Sequence, residues 1–316
     1  MNRPVNLQIR GNLQESYDDI FTPAAIDALS AVAHLDRDRR ELMEARVERR
    51  HQRISHAERI RFLDPASTIP RTGITVQDAR EGNFDGSAIP HDLQRQWIQG
   101  TGPATKPRES LERSIRNVAY ALLSGADGWM FDGEDAVGQV DTMSLDNHRN
   151  LKLAIDRAPV FLTAAELVAK EMNAWSEGFF GRRIVADWNE QLDFTTKIFR
   201  ARGLHLDDRH VRHADGSGFS AAIVDMVLYV VGNHERLRAD GSSIVLYLPK
   251  IQTAEEAALW NDMLTALERH LSIEVGTIKA YVLVEQIEAS FQLMEIRAAL
   301  TPHFVGFNTG RWDYIN

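Results

Sequence analysis

The apolar positions change period along the chain. Ile26, Leu29 and Val32, then Leu42, Met43 and Val47, recur three to four residues apart from Thr22 to about Arg53, the spacing of one helix face. Thr22 before Pro23 marks the start, pairing a capping hydroxyl with a proline whose fixed φ suits the first helical position. The pattern predicts one long or broken helical segment. From Leu63 to Pro107 the period is lost, and Pro65, Pro70, Pro90, Pro103 and Pro107 mark turns and short extended pieces of a connecting or cap region.

Beyond Pro107, apolar extended runs alternate with helical stretches. The predicted strands are Gln96–Gly100, Gly128–Glu134, Thr196–Ala201, Ser243–Leu248, Thr277–Val284 and His303–Asn308. Helices are predicted at Leu111–Ser124, Thr163–Ala174, Ser220–Arg238, Ala254–Leu271 and Gln286–Leu300. Unbroken apolar strands between helices predict a mostly parallel sheet with helices outside it. Polar residues gather at the strand exits: Asp132 and Glu134, Arg200 and Arg202, Lys250, Glu285, then Asn308 to Asp313. A (β/α)8 TIM-type barrel builds its site at those ends. An open doubly wound sheet would do so too, but the chain has no GxGxxG or P-loop to support a nucleotide fold. The expected architecture is therefore α/β: an N-terminal helical and cap segment over residues 1–94, then a partial TIM barrel with about six strands present over 95–316.

Composition narrows the chemistry. None of the 316 residues is cysteine, which excludes disulfide frameworks, thiolate zinc sites and cysteine nucleophiles. Lys and Arg number 36 against 45 Asp and Glu, a formal charge of −9 that argues against nucleic acid or anionic lipid as broad partners. The longest apolar stretch, around Ala221–Val231, contains Asp225 and is far too short for a membrane span, and the N-terminus lacks a signal peptide's apolar core. A cytoplasmic protein with no membrane contact is expected. Between Arg37 and Arg53 seven arginines interleave with glutamates, which reads as a solvated helix face, with a phosphate-binding patch as the alternative.

Three acids end the strand Trp129-Met-Phe-Asp-Gly-Glu-Asp135, and alternation places Asp132 and Glu134 on one face with Asp135 opposite. They suggest either a metal or general-base pair or an acidic turn. Glu285 abuts four apolar residues, so its burial needs a compensating charge. Asp313 follows Gly310, whose backbone could approach an anion. Two carboxylates from neighbouring strand exits, with water and substrate completing the shell, suit Mg²⁺ better than zinc or calcium; ion pairs with Arg200, Arg202 or Arg311 are the alternative. Alternation puts Arg200 and Arg202 on the same side and does not choose which of them serves the site. His205, His210 and His213 match no metal motif and read as surface or loop residues.

Several segments together resemble the malate synthases, in particular their A-type branch. Phe21-Thr-Pro23, Asp38-Arg-Arg-Glu-Leu-Met-Glu-Ala-Arg46, Phe131-Asp-Gly-Glu-Asp-Ala136, Arg200-Ala-Arg-Gly-Leu-His-Leu206, Tyr247-Leu-Pro-Lys250, Trp260-Asn261 and Val284-Glu285 occur in the family's order. The most specific match is Gly306-Phe-Asn-Thr-Gly-Arg-Trp-Asp-Tyr-Ile315, similar to the signature around GLNxGRWDYIF. The resemblance implies a Mg²⁺-dependent Claisen condensation of acetyl-CoA with glyoxylate to malate and CoA, an acyltransfer of the glyoxylate cycle. It implies Glu285 and Asp313 as metal ligands, Asp132 and Glu134 as an acidic pair behind them, and Arg200 as the catalytic arginine. Gly310, Arg311, Trp312 and Asp313 would receive glyoxylate. A citrate-lyase-type aldolase acting on a compound such as malyl-CoA is the competing reading, as is a catalytically incompetent fragment that only binds Mg²⁺ and glyoxylate.

Ala201, Phe307, Asn316 and the Thr301-Pro302 pair depart from the family pattern at positions without assigned chemistry. In the family a C-terminal helical domain beyond the RWDY motif carries the base aspartate. That domain is absent from these residues, so the chain is expected to be a fragment of a longer protein.

Overall fold

In the computed structural model, which describes residues 7–95, 106–135 and 140–315, four helices come first. They are α1 (Leu13–Ser16), α2 (Pro23–Val32), α3 (Leu35–Ser55) and α4 (Val76–Glu81), after a short strand β1 (Leu7–Ile9). The predicted long segment is thus a broken one, interrupted at Ala33 and His34. The Thr22 hydroxyl caps α2 by accepting from the Ala25 N–H at 3.2 Å.

The remaining elements run α5 (Leu111–Leu122), β2 (Gly128–Asp132), α6 (Met143–Ile155), α7 (Pro159–Phe180), α8 (Trp188–Phe194), β3 (Thr196–Arg200), β4 (Asp207–His213), β5 (Gly218–Ser220), α9 (Ala221–Ala239), β6 (Ile244–Leu248), α10 (Ala254–His270), β7 (Ile278–Val284), α11 (Leu293–Ala299), β8 (Phe304–Thr309) and α12 (Arg311–Tyr314). Strands β2, β3, β6, β7 and β8 pair in that order, all parallel, and the ladder does not close on itself among the described residues. The predicted strand Gln96–Gly100 lies outside the described residues. A second sheet, β1-β4-β5, is antiparallel. It corrects the reading of His210 and His213 as surface or loop residues: both belong to β4, with His210 buried and His213 bonded to the buried Asp36 at 2.6 Å.

Strand parity explains how the site is placed. Met130, Ile198, Val245, Tyr247, Leu283 and Val305 form one buried cluster with Leu93 on the inner face of the sheet. Phe131, Phe199, Leu246 and Val282 face the outer layer, where they join the larger core with the surrounding helices. Both faces of β3 and β6 are buried along their whole length, hence their continuous apolar reading. Two residues on from the inner positions 130, 198 and 283 stand Asp132, Arg200 and Glu285, so alternation carries these three to the inner side at the strand exits.

The N-terminal helices join this structure. Helix α2 packs against α9 and α10, and its Ala25, Ala28, Leu29 and Val32 belong to the main core. The arginine-rich α3 is not simply solvated. Arg46 reaches the Lys250 carbonyl at 2.9 Å, Arg46 and Arg49 lie 3.4 and 3.6 Å from the buried Glu256, and Arg53 pairs with Glu288. These contacts tie the helix to the segments that follow β6 and β7, including the first turn of α10. No helix among the described residues is long and apolar enough to cross a membrane.

Candidate active site at the strand exits

Asp132, the last residue of β2, is buried and accepts from both Nε (2.6 Å) and Nη2 (2.5 Å) of Arg200, the last residue of β3. This paired fork is the strong form of an arginine–carboxylate contact. Its Oδ1 also accepts the backbone N–H groups of Glu134 and Asp135 at 2.9 and 3.2 Å, which turns the chain sharply after the strand. Gly133 is needed in that turn, because a Cβ there would stand 2.7 Å from the Arg200 carbonyl oxygen.

The turn reverses part of the sequence reading. Alternation ends with the strand at Asp132, so Glu134 does not continue on the inner face beside it. Glu134 points sideways and accepts the Gly203 N–H at 2.6 Å, while Asp135 enters the cavity, 2.9 Å from Arg200 Nη2. Burial pushes the Glu134 carboxyl up to about 7, against the hydrogen bond from Gly203.

Glu285 follows β7 and is 2% exposed. It accepts the Lys250 N–H at 2.8 Å and lies 3.2 Å from the Lys250 ammonium. Burial, then its hydrogen bond with Asp313, pushes its carboxyl up to about 7. Asp313, in the single-turn α12, is held below the ordinary carboxylate range by hydrogen bonds with Glu285 and then Lys250. Gly310 makes the approach possible: a Cβ there would fall 2.7 Å from that of Glu285, and its N–H donates to the Val284 carbonyl at 2.8 Å.

Asp135, Glu285 and Asp313 each offer a carboxylate oxygen, all within 4.8 Å of one another. An all-oxygen donor set of three acids suits a hard divalent cation such as Mg²⁺. The three acids border a cavity of about 500 Å³, with Met130, Tyr247 and Leu283 at its base and Asn308 to Trp312 along its wall. Arg311 lies over the Trp312 ring at 4.8 Å, and Trp312 is largely exposed.

The two arginines left equivalent by alternation are separated here. Arg200 lines the cavity. Arg202, past the strand end, is fully buried and pairs with Asp225 of α9 (2.6 Å) and Asp208 of β4 (2.7 Å). Sequence reasoning missed Asp135 and Lys250 as members of the cluster. For Lys250 the available signal was its place at a strand exit after Pro249; its left-handed backbone (φ 58°) then turns it out of strand alternation.

The sequence is also similar to known proteins. The TIM-barrel domain of malate synthase matches residues 196–316. Malate synthase from Arabidopsis thaliana is 31% identical over 99% of this chain and 49% of its own length. The glyoxysomal malate synthase of Zea mays is 32% identical, covering 99% and 50%, and malate synthase A of Escherichia coli is 30% identical, covering 95% and 49%. Nearly the whole chain is thus similar to malate synthases. It spans about half the length of the curated relatives it matches. Among solved structures, a Haloferax volcanii malate synthase in a lead(II) complex aligns with a TM-score of 0.44 at 13% identity, over 72% of this chain and 52% of that one.

Proposed function

We propose that this chain carries the metal- and glyoxylate-binding half of a malate synthase reaction: acetyl-CoA, glyoxylate and water giving malate and CoA. The observation that supports this most is the meeting of three carboxylates and a buried, carboxylate-anchored arginine at one cavity. Glu285 and Asp313 would hold Mg²⁺, with Asp135 as a third acid in reach. Mg²⁺ bound there supplies Lewis-acid activation of the aldehyde and a template for its carboxylate.

The chain's own residues account for the rest. Thioester methyl protons are weakly acidic, so the enolate must be stabilised as it forms. Arg200 suits this because Asp132 fixes its guanidinium before substrate arrives, and although burial opposes the charge, the carboxylates of Asp132, Asp135 and Glu285 outweigh it and keep the guanidinium charged. Glu134 holds the β3 exit through Gly203. The Gly310–Asp313 backbone lines the wall that would receive the glyoxylate carboxylate. The proton-accepting base is assigned to the portion of the family's length that these residues do not span.

The reading is tested by following free thiol from acetyl-CoA with the full protein. CoA release that requires both glyoxylate and Mg²⁺ is expected. Acetyl-CoA and glyoxylate formed from malyl-CoA, without free CoA, would replace it with the aldolase reading. Thermal stabilisation by Mg²⁺ plus glyoxylate with no turnover would instead favour a binding module.

A further inference from the structure

We infer that Lys250 is a tethered counter-cation that competes with the divalent metal for the three carboxylates. The inference rests on the proposed metal site and concerns what the chain itself places there. The Lys250 ammonium contacts Asp313, lies 3.2 Å from Glu285 Oε2 and 3.7 Å from Asp135 Oδ1. It therefore touches the same three acids that converge within 4.8 Å.

The backbone shows that this placement is built rather than incidental. Lys250 adopts φ 58°, a conformation costly for a residue with a Cβ. That geometry is secured from both sides: the Lys250 N–H donates to Glu285 at 2.8 Å, and its carbonyl accepts from Arg46 of α3 at 2.9 Å. The side chain is mostly enclosed, 14% exposed, so its charge acts where water screens poorly.

Three acids this close repel one another strongly unless a cation lies among them. Arg200 serves Asp132 and Asp135; among the described residues, Lys250 is the cation that reaches Glu285 and Asp313. A divalent ion and an ammonium on the same oxygens repel each other, so one weakens the other. Lys250 thus keeps the empty cluster folded and makes metal loading reversible, at the expense of affinity.

The test compares the parent with Lys250→Met and Lys250→Arg, by Mg²⁺ calorimetry and by melting in EDTA. The methionine variant should bind Mg²⁺ roughly tenfold more tightly and melt lower in EDTA, with the loss recovered by Mg²⁺. The arginine variant should resemble the parent. Unchanged or weaker Mg²⁺ binding by Lys250→Met, with an unchanged melting temperature in EDTA, would overturn the inference. Absence of Mg²⁺ binding in all three proteins would overturn the metal reading beneath it, a distinct result.

Discussion

Asp225→Asn is expected to destabilise the fold by about 3–5 kcal/mol, the usual cost of removing one partner from a buried ion pair. Asp225 sits on α9 and is 1% exposed. It accepts from the Arg202 backbone N–H at 2.8 Å, from Arg202 Nε at 2.8 Å and Nη2 at 2.6 Å, and lies 3.2 Å from His148 Nε2. With the aspartate charge removed, the fully buried Arg202 keeps only Asp208 as an anionic partner of those two. The loop after β3 would lose its anchor, and this loop also carries Gly203, the donor to Glu134. Burial alone would raise the Asp225 carboxyl, but the Arg202 charge and its hydrogen bonds overcome this and hold it far below the ordinary range. A folded value below the unfolded one stabilises above the unfolded value, and that contribution disappears as pH falls toward the folded value. Parent and variant should therefore differ fully at pH 7 and begin to converge below about pH 4. Urea unfolding at both pH values checks this; equal midpoints at pH 7 would contradict it.

Asp313→Asn should weaken Mg²⁺ binding by at least about tenfold, the lower bound seen when even an outer partner of a metal ligand is lost. The substitution keeps the shape and removes the charge in contact with both Lys250 and Glu285. Because Asp313 is partly exposed, the fold itself should be little affected. Thermal melting with and without Mg²⁺ separates the two effects: the variant should melt close to the parent in EDTA but gain little from the metal. A Mg²⁺ response equal to the parent's would remove Asp313 from the ligand set.

The parts of this arrangement differ in how plainly they are written in the chain. Strands β3, β6 and β7 read clearly because both of their faces are buried, so each is an apolar run of strand length with a polar exit. Glu285 was conspicuous for a related reason, since a carboxylate after four apolar residues must be buried and compensated. The compensation comes from Lys250 rather than from an arginine, and a left-handed backbone cannot be foreseen from alternation.

Helix α6 does not show in the apolar pattern because it buries polar residues, Asn147, His148 and Asn150, which blur its apolar stripe. Strand β4, Asp207–His213, has only Val211 as an apolar residue; its inward Asp208 and His210 are polar, so no alternation shows. Alternation puts Asp135 on the wrong side because pairing ends at Asp132, and the chain then enters a turn closed by that residue's own side chain. The pair Arg200 and Arg202 could not be resolved for the same reason, as one lies inside the strand and the other just beyond its end.

The most direct measurement is a calorimetric titration of the protein with glyoxylate, once in Mg²⁺ and once in EDTA. Saturable binding in Mg²⁺ that vanishes in EDTA, and that Asp313→Asn abolishes, is the predicted result. Glyoxylate binding of equal strength in EDTA, or none under either condition, would contradict the assignment of this cavity to a metal-held oxoacid.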